Sequence, residues 1–137
     1  MKRLTDELTV SPQIPIESLP DIAGAGFKTI ICNRPDNEDP GQPSFDDIRT
    51  KAEEAGLTAL FLPVASGNVS DADADAFATA FENAAKPVFA YCRSGTRCTI
   101  LWSLATAGKL PVHDIVATAA QAGYDVSPLA GRIQSRA

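Results

Sequence analysis

Apolar positions follow two rhythms along the chain. Short runs with little alternation and many β-branched residues occur at "FKTIICN" (27–33), "TALFLPV" (58–64) and "PVFAYC" (87–92). Such runs predict strands covered on both faces. Residues 4–10 predict a further, short edge strand before a turn. Between the strands the apolar residues fall at helical spacing. "SFDDIRTKAEEAG" (44–56) opens on Ser44 as an N-cap, carries Asp46 and Asp47 in its first turn and stops at Gly56. "SDADADAFATAFENAA" (70–85) repeats the scheme with Ser70 as cap. There Asp71, Asp73 and Asp75 suit the positive helix end, and Phe77 and Phe81 lie four apart for burial. Helices are also predicted over 97–108, 112–123 and near "PLAGRIQSR". "IESLPDIAGAG" reads as a helical segment interrupted by Pro20 and ended by glycines.

Strand and helix in alternation predict an α/β fold, a central and mainly parallel sheet of four or five strands flanked by helices. Ligands bind such sheets beyond the carboxyl ends of the strands. Three segments leave that edge: "NRPDNED", "ASGNVSD" and "CRSGTR". A site should be built from them.

Composition narrows the chemistry. A chain of 137 residues suggests a single domain, 1–137, with a real core. A net charge of −5 argues against a nucleic-acid partner. Neither a secretory h-region after "MKRLTDELTV" nor a membrane-length apolar run is present, so a cytoplasmic location is expected. The cysteines, Cys32, Cys92 and Cys98, are odd in number and do not suggest a disulfide framework. His113 is the only histidine, which excludes a two-histidine zinc site within one chain. No metal or cofactor is expected. His113 reads as an exposed helix residue and Cys32 as a small buried hydrophobe.

"CRSGTR" carries the strongest chemical signal. A loop between a buried strand and a helix start aims several backbone N–H groups at one point, and the helix dipole adds positive charge. Arg93, Ser94, Gly95 and Thr96 would form this anion-binding nest, with Gly95 supplying a backbone angle that a side chain opposes. Arg97 can fold its fork over the mouth. Cys92, at the base, is expected to be a thiolate and a nucleophile. A non-catalytic anion-binding or redox-sensing module remains a further reading.

The loop resembles the active loop of rhodanese-type sulfurtransferases and also the phosphate loop of cysteine-dependent phosphatases. The latter pattern is Cys-x5-Arg, whereas Cys92 and Arg97 enclose four residues. The shorter count implies room for a persulfide sulfur rather than a tetrahedral phosphoryl group. "LTDELTVSPQI", "GFKTIICNRPDNEDPGQPSFDDI", "GLTALFLPV", "CRSGTRC" and "AGYDV" together resemble the phosphatase-like domain of beta-lactamase-hydrolase-like proteins. That resemblance implies a protein-tyrosine-phosphatase-like fold. It also implies sulfide metabolism, with a persulfide dioxygenase as a partner, since some members join the domain to one.

The expected function is therefore a cysteine-dependent sulfurtransferase acting through a Cys92 persulfide. A small anionic sulfur donor would charge the cysteine and a thiol acceptor would discharge it. The alternative is hydrolysis of a phosphate ester through phosphocysteine. A phosphatase needs a general acid, and the matching stretch "PVASGNVSDAD" offers Asp71 and Asp73, both also explained as first-turn helix residues. Arg34 could meet substrate or pair with Glu38 across the mouth. Cys98 could donate a weak S–H bond to Cys92, form a redox disulfide with it, or simply pack. Trp102 reads as core.

Overall fold

The computed structural model describes all of residues 1–137. Five strands form one sheet: β1 (Lys2–Thr5), β2 (Leu8–Ser11), β3 (Thr29–Cys32), β4 (Thr58–Phe61) and β5 (Val88–Tyr91). Their spatial order is β1-β2-β5-β3-β4. Only β1 runs antiparallel, against β2; β5 pairs in parallel with both β2 and β3, and β4 with β3. Six helices cover the faces: α1 (Leu19–Gly24), α2 (Phe45–Glu54), α3 (Asp71–Asn83), α4 (Thr96–Ala105), α5 (Val112–Gln121) and α6 (Ala130–Arg136). None is long and apolar enough to cross a membrane.

The mainly parallel α/β sheet agrees with the sequence reading, with one correction. Residues 4–10 are not one edge strand. Polar Asp6 and Glu7 break the run, Glu7 N–H donates to Thr5 Oγ1 at 3.1 Å, and the chain folds into a hairpin. β1 takes the edge while β2 is interior, in register with β5 from Leu8–Val88 to Ser11–Tyr91.

Alternation along the buried strands sorts their side chains into two cores. Val88, Ala90 and Ile31 join Leu8, Val10 and the residues of α3 to α6 on one side. Phe89, Tyr91, Ile30 and Cys32 join Leu19, Ile22, Ile48 and Ala52 of α1 and α2 on the other. This double covering explains why β3 and β5 read as unbroken apolar runs. Local signals position the helices. Ser44 Oγ accepts from Asp47 N–H, and Ser70 and Asp73 make a reciprocal capping box, worth about 1 kcal/mol. Phe77, 1% exposed, contributes roughly 2–3 kcal/mol by burial.

α4 is buried on nearly every side: Cys98, Thr99, Leu101, Trp102, Ser103 and Leu104 are all in the interior. Its hydroxyls return to the helix backbone, Thr99 Oγ1 to Gly95 O at 2.9 Å and Ser103 Oγ to Thr99 O at 2.8 Å. A helix so enclosed fixes its own first turn rigidly. That turn follows directly from β5, the middle strand.

Candidate active site

Cys92 is the first residue beyond β5, at the centre of the sheet's carboxyl edge. Its N–H donates to Ser11 O at 3.2 Å, and Gln13 N–H donates to Arg93 O at 3.3 Å, so the end of β2 braces the loop. Gly95 caps α4 with φ of +89°, in the left-handed region that the sequence reading assigned to it. The Gly95 amide donates to Cys92 Sγ at 3.1 Å. The Cys98 thiol and the Ser94 and Cys98 amides lie near enough to the same sulfur to favour its charged form. Together these donors, the Cys98 side chain foremost, hold the Cys92 pKa down at about 5 against the pull of burial. Cys98 moves the opposite way: burial first, and then its bond to the Cys92 sulfur, push its thiol well up. One thiolate and one thiol donor is the resulting pair.

The cradle closes on the sulfur itself. Cys92 is fully buried, and the cavity above the loop, about 560 Å³, is walled by Ser66, Gly67, Arg93, Ser94, Thr96 and Arg97, with Ile100 behind. Cys92 itself is not among the residues that wall this mouth.

Arg97 points where the sequence did not foresee. Rather than standing free over the mouth, its guanidinium is held by Glu38, Nη1 to Oε2 at 2.7 Å and Nη2 to Oε1 at 2.9 Å, and by Val64 O at 2.9 Å. Of the two partners the sequence offered Arg34, substrate or Glu38, the second is in place, Nε to Oε1 at 2.8 Å. Glu38 thus bridges two buried arginines, and the Arg97 bonds above all hold its carboxyl near pKa 2. Arg34 completes its fork on Gln13 Oε1 at 3.0 Å and Asp39 Oδ2 at 2.6 Å. Asp39 lies 3.4 Å from Arg93. The first and last loops of the edge are therefore stitched by charge. The negative sulfur of Cys92 also lies close enough to raise the Arg97 pKa, after the larger effect of Glu38.

Asp71, a possible auxiliary residue on sequence grounds, sits in the first turn of α3, the other reading the sequence offered for it. It pairs with α6, accepting from Arg132 Nη2 at 3.0 Å and lying 3.4 Å from Arg136 Nη1. Asp73 is spent in the capping box. Cys32 is buried, with Sγ donating to Arg34 O at 3.2 Å, and burial raises its pKa. Trp102 is core and His113 is exposed on α5.

Three contributors were not foreseen: Gln13, Asp39 and Tyr124, whose hydroxyl donates to Ser94 O at 3.1 Å. Asp39 stands in "NRPDNED", where a third carboxylate close after Arg34, beside Asp36 and Glu38, was a usable signal. Gln13 and Tyr124 reach the loop from other elements and leave no local pattern.

Comparison with known proteins places this geometry. The family model for the beta-lactamase hydrolase-like protein, phosphatase-like domain, matches residues 1–109. The beta-lactamase hydrolase-like protein of Agrobacterium fabrum is 36% identical over 126 residues, covering 90% of this chain and 29% of that protein. The chain thus spans less than a third of the length of such curated relatives. A crystal structure of a candidate phosphatase from Neisseria meningitidis superposes with a TM-score of 0.87 at 37% identity, covering 99% of this chain and 97% of that one. One from Shewanella putrefaciens gives 0.78 at 18% identity, covering 98% and 91%, a likeness of fold alone. The family description and the names of the solved structures speak of phosphatases, and none of the names speaks of the sulfur transfer expected from the loop.

Proposed function

Because the chain belongs to the phosphatase-like domain family of beta-lactamase hydrolase-like proteins, we propose that it is a cysteine-dependent group-transfer enzyme in which Cys92 accepts the sulfane sulfur of a small anionic donor. The family and the fold make a cysteine-based, phosphatase-like enzyme the starting point. The choice of sulfur rests on one observation: no carboxylate walls the mouth. Glu38 is clamped between two arginines and ionised far below neutral pH. Asp39 is paired with Arg34 and Arg93, and Asp71 with Arg132 and Arg136. An alkyl phosphate needs its leaving oxygen protonated. Sulfite and thiolates leave without that help.

The reaction has two steps. The Cys92 thiolate attacks the outer sulfur of thiosulfate, or of a thiol persulfide. The donor's S–S bond breaks, sulfite or thiolate departs with the electron pair, and Cys92 carries a persulfide. An acceptor thiolate then attacks the terminal sulfur, leaves as a new persulfide, and returns Cys92 to thiolate. The loop amides would stabilise negative charge on either sulfur. The exposed Arg93, which walls the mouth, would draw the anionic donor in.

Phosphate-ester hydrolysis is the second reading, favoured by the phosphatase-like description of the family and the phosphatase names of the structural neighbours. It would proceed through phosphocysteine at Cys92 and suit aryl esters, whose leaving groups need no acid. Intact-mass measurement after thiosulfate treatment separates the readings. The expected result is a gain of one sulfur, absent from Cys92→Ser. Turnover of an aryl phosphate with no sulfur uptake reverses the order. Neither reaction, with a reversible loss of two hydrogens on oxidation, would leave a Cys92–Cys98 sensor.

A further inference from the structure

Tyr124 lies beyond the residues matched by the family model, yet it touches the loop at its most sensitive point. It follows Gly123 (φ +95°) in the turn that ends α5. Tyr124 N–H donates to Ala119 O at 2.9 Å and Gly123 N–H to Ala120 O at 2.9 Å, the paired bonds of a Schellman cap. The tyrosine is therefore carried on a fixed helix end, itself seated in the core through Ile115, Ala119 and Ala122.

From there the phenol reaches Ser94 O, while Gly95 N–H reaches Cys92 Sγ. Ser94 O and Gly95 N belong to one peptide group, which is planar, with its carbonyl and N–H pointing to opposite edges. The two hydrogen bonds, each 3.1 Å, grip those opposite edges. A peptide turned over would aim the carbonyl at the thiolate and repel it. Gly95 is also the residue that admits the ring. A Cβ there would collide with Tyr124 Oη and lie 3.0 Å from Cζ.

We propose that Tyr124 is a positioning residue for the nucleophile: its hydroxyl holds the Ser94–Gly95 peptide in the one orientation that presents an N–H to Cys92 Sγ, and its ring backs that peptide at Gly95. This rests on Cys92 being the reactive thiolate, and not on the choice of donor. The titratable groups facing Cys92 are Cys98 and Arg97 from α4, Cys32 from β3 and Tyr124 from the α5 turn. Of these, Tyr124 acts through the backbone. Its own pKa is raised, by burial first and then by the nearby Cys92 and Cys98 sulfurs, in keeping with a phenol beside a negative site.

The test is the ultraviolet thiolate absorbance of the whole chain titrated against pH, with Cys92→Ser as baseline. Tyr124→Phe keeps the ring and removes only the donor. It should raise the Cys92 midpoint by about half to one pH unit, the effect of one neutral hydrogen bond. Gly95→Ala, which displaces the ring and strains the positive φ, should move the midpoint in the same direction with the donor intact. An acidic wild-type midpoint left unmoved by Tyr124→Phe overturns this inference alone. A wild-type midpoint at the ordinary thiol value overturns the nucleophile reading together with it. A melting scan identifies any unfolded variant. Because a loss of packing alone does not require the thiolate midpoint to move, that midpoint in the folded Phe variant decides the question.

Discussion

Glu38 and Arg97, 59 residues apart in sequence, meet as a two-pronged ion pair with both carboxylate oxygens engaged. The pair ties the loop after β3 to the first turn of α4 and sets where the guanidinium can reach. Neutralising Glu38 leaves Arg97, only 7% exposed in its side chain, and Arg34, only 4% exposed, without their shared counter-charge. Glu38→Gln should cost about 1–3 kcal/mol, below the roughly 3–5 of a fully buried pair because Glu38 keeps some contact with solvent. Turnover should fall about tenfold to a hundredfold as Arg97 swings out of place. Urea unfolding and kcat/KM report the two effects. A variant of native stability and activity would show the pair to be idle.

The same carboxyl gives an acid limb. Glu38 has a folded pKa of about 2 against an ordinary 4.5. Its contribution to stability is therefore complete above about pH 4.5 and is lost as pH falls toward 2. Acid unfolding of the wild type should steepen across that window, and Glu38→Gln should remove its share.

Cys92 gives a second window. Its pKa is lowered from 9.0 to about 5, so at neutral pH the folded chain carries a thiolate where the unfolded chain carries a thiol. The unfolded state binds the extra proton, and stability rises with pH between about 5 and 9. Cys92→Ser should flatten this rise in a series of urea melts. Sulfur uptake should follow the thiolate, full at neutral pH and fading below about 5. A reaction that gains speed only near pH 9 would contradict the cradle.

Cys98 supplies the largest single pull on that thiolate. Cys98→Ala removes the donor and leaves a small void in a fully buried site, so the Cys92 midpoint should rise and stability should drop by about 1 kcal/mol. Cys98→Ser restores a donor of similar size, and the midpoint should return toward the wild-type value. An unchanged midpoint in the alanine variant would make Cys98 packing only.

What the sequence discloses follows the range over which each feature is decided. The capping box of α3 is complete within Ser70–Asp73, so its start is legible. The runs at β3 and β5 are legible because both faces of the sheet are covered. Cys92, Gly95 and Arg97 are legible because strand, loop and helix start are contiguous. The hairpin is not, since β2 is made interior by its pairing with β5, some 80 residues on. Nor is the destination of Arg97, because Glu38 and Val64 come from two other loops. A loop residue's type shows what it can bind, while its partner is chosen by topology.

Asp71 shows the same division and carries the last prediction. Its place at the first residue of α3 suits a general acid on sequence grounds, yet it is engaged by Arg132 and Arg136, and Arg136 also reaches Asp75 at 2.8 Å and Leu104 O at 3.0 Å. Those contacts fasten α6 to α3 and α4. Asp71→Asn should therefore leave kcat and its pH profile unchanged while lowering stability by up to about 1 kcal/mol, as expected for partly exposed pairs. Arg136→Ala should cost more, about 1–2 kcal/mol, because it also strips a hydrogen bond from a buried helix carbonyl. Thermal melts rank the two variants. Loss of the basic limb of the rate profile in Asp71→Asn, with stability intact, would instead return this carboxylate to the reaction as its acid and strengthen the case for phosphate esters.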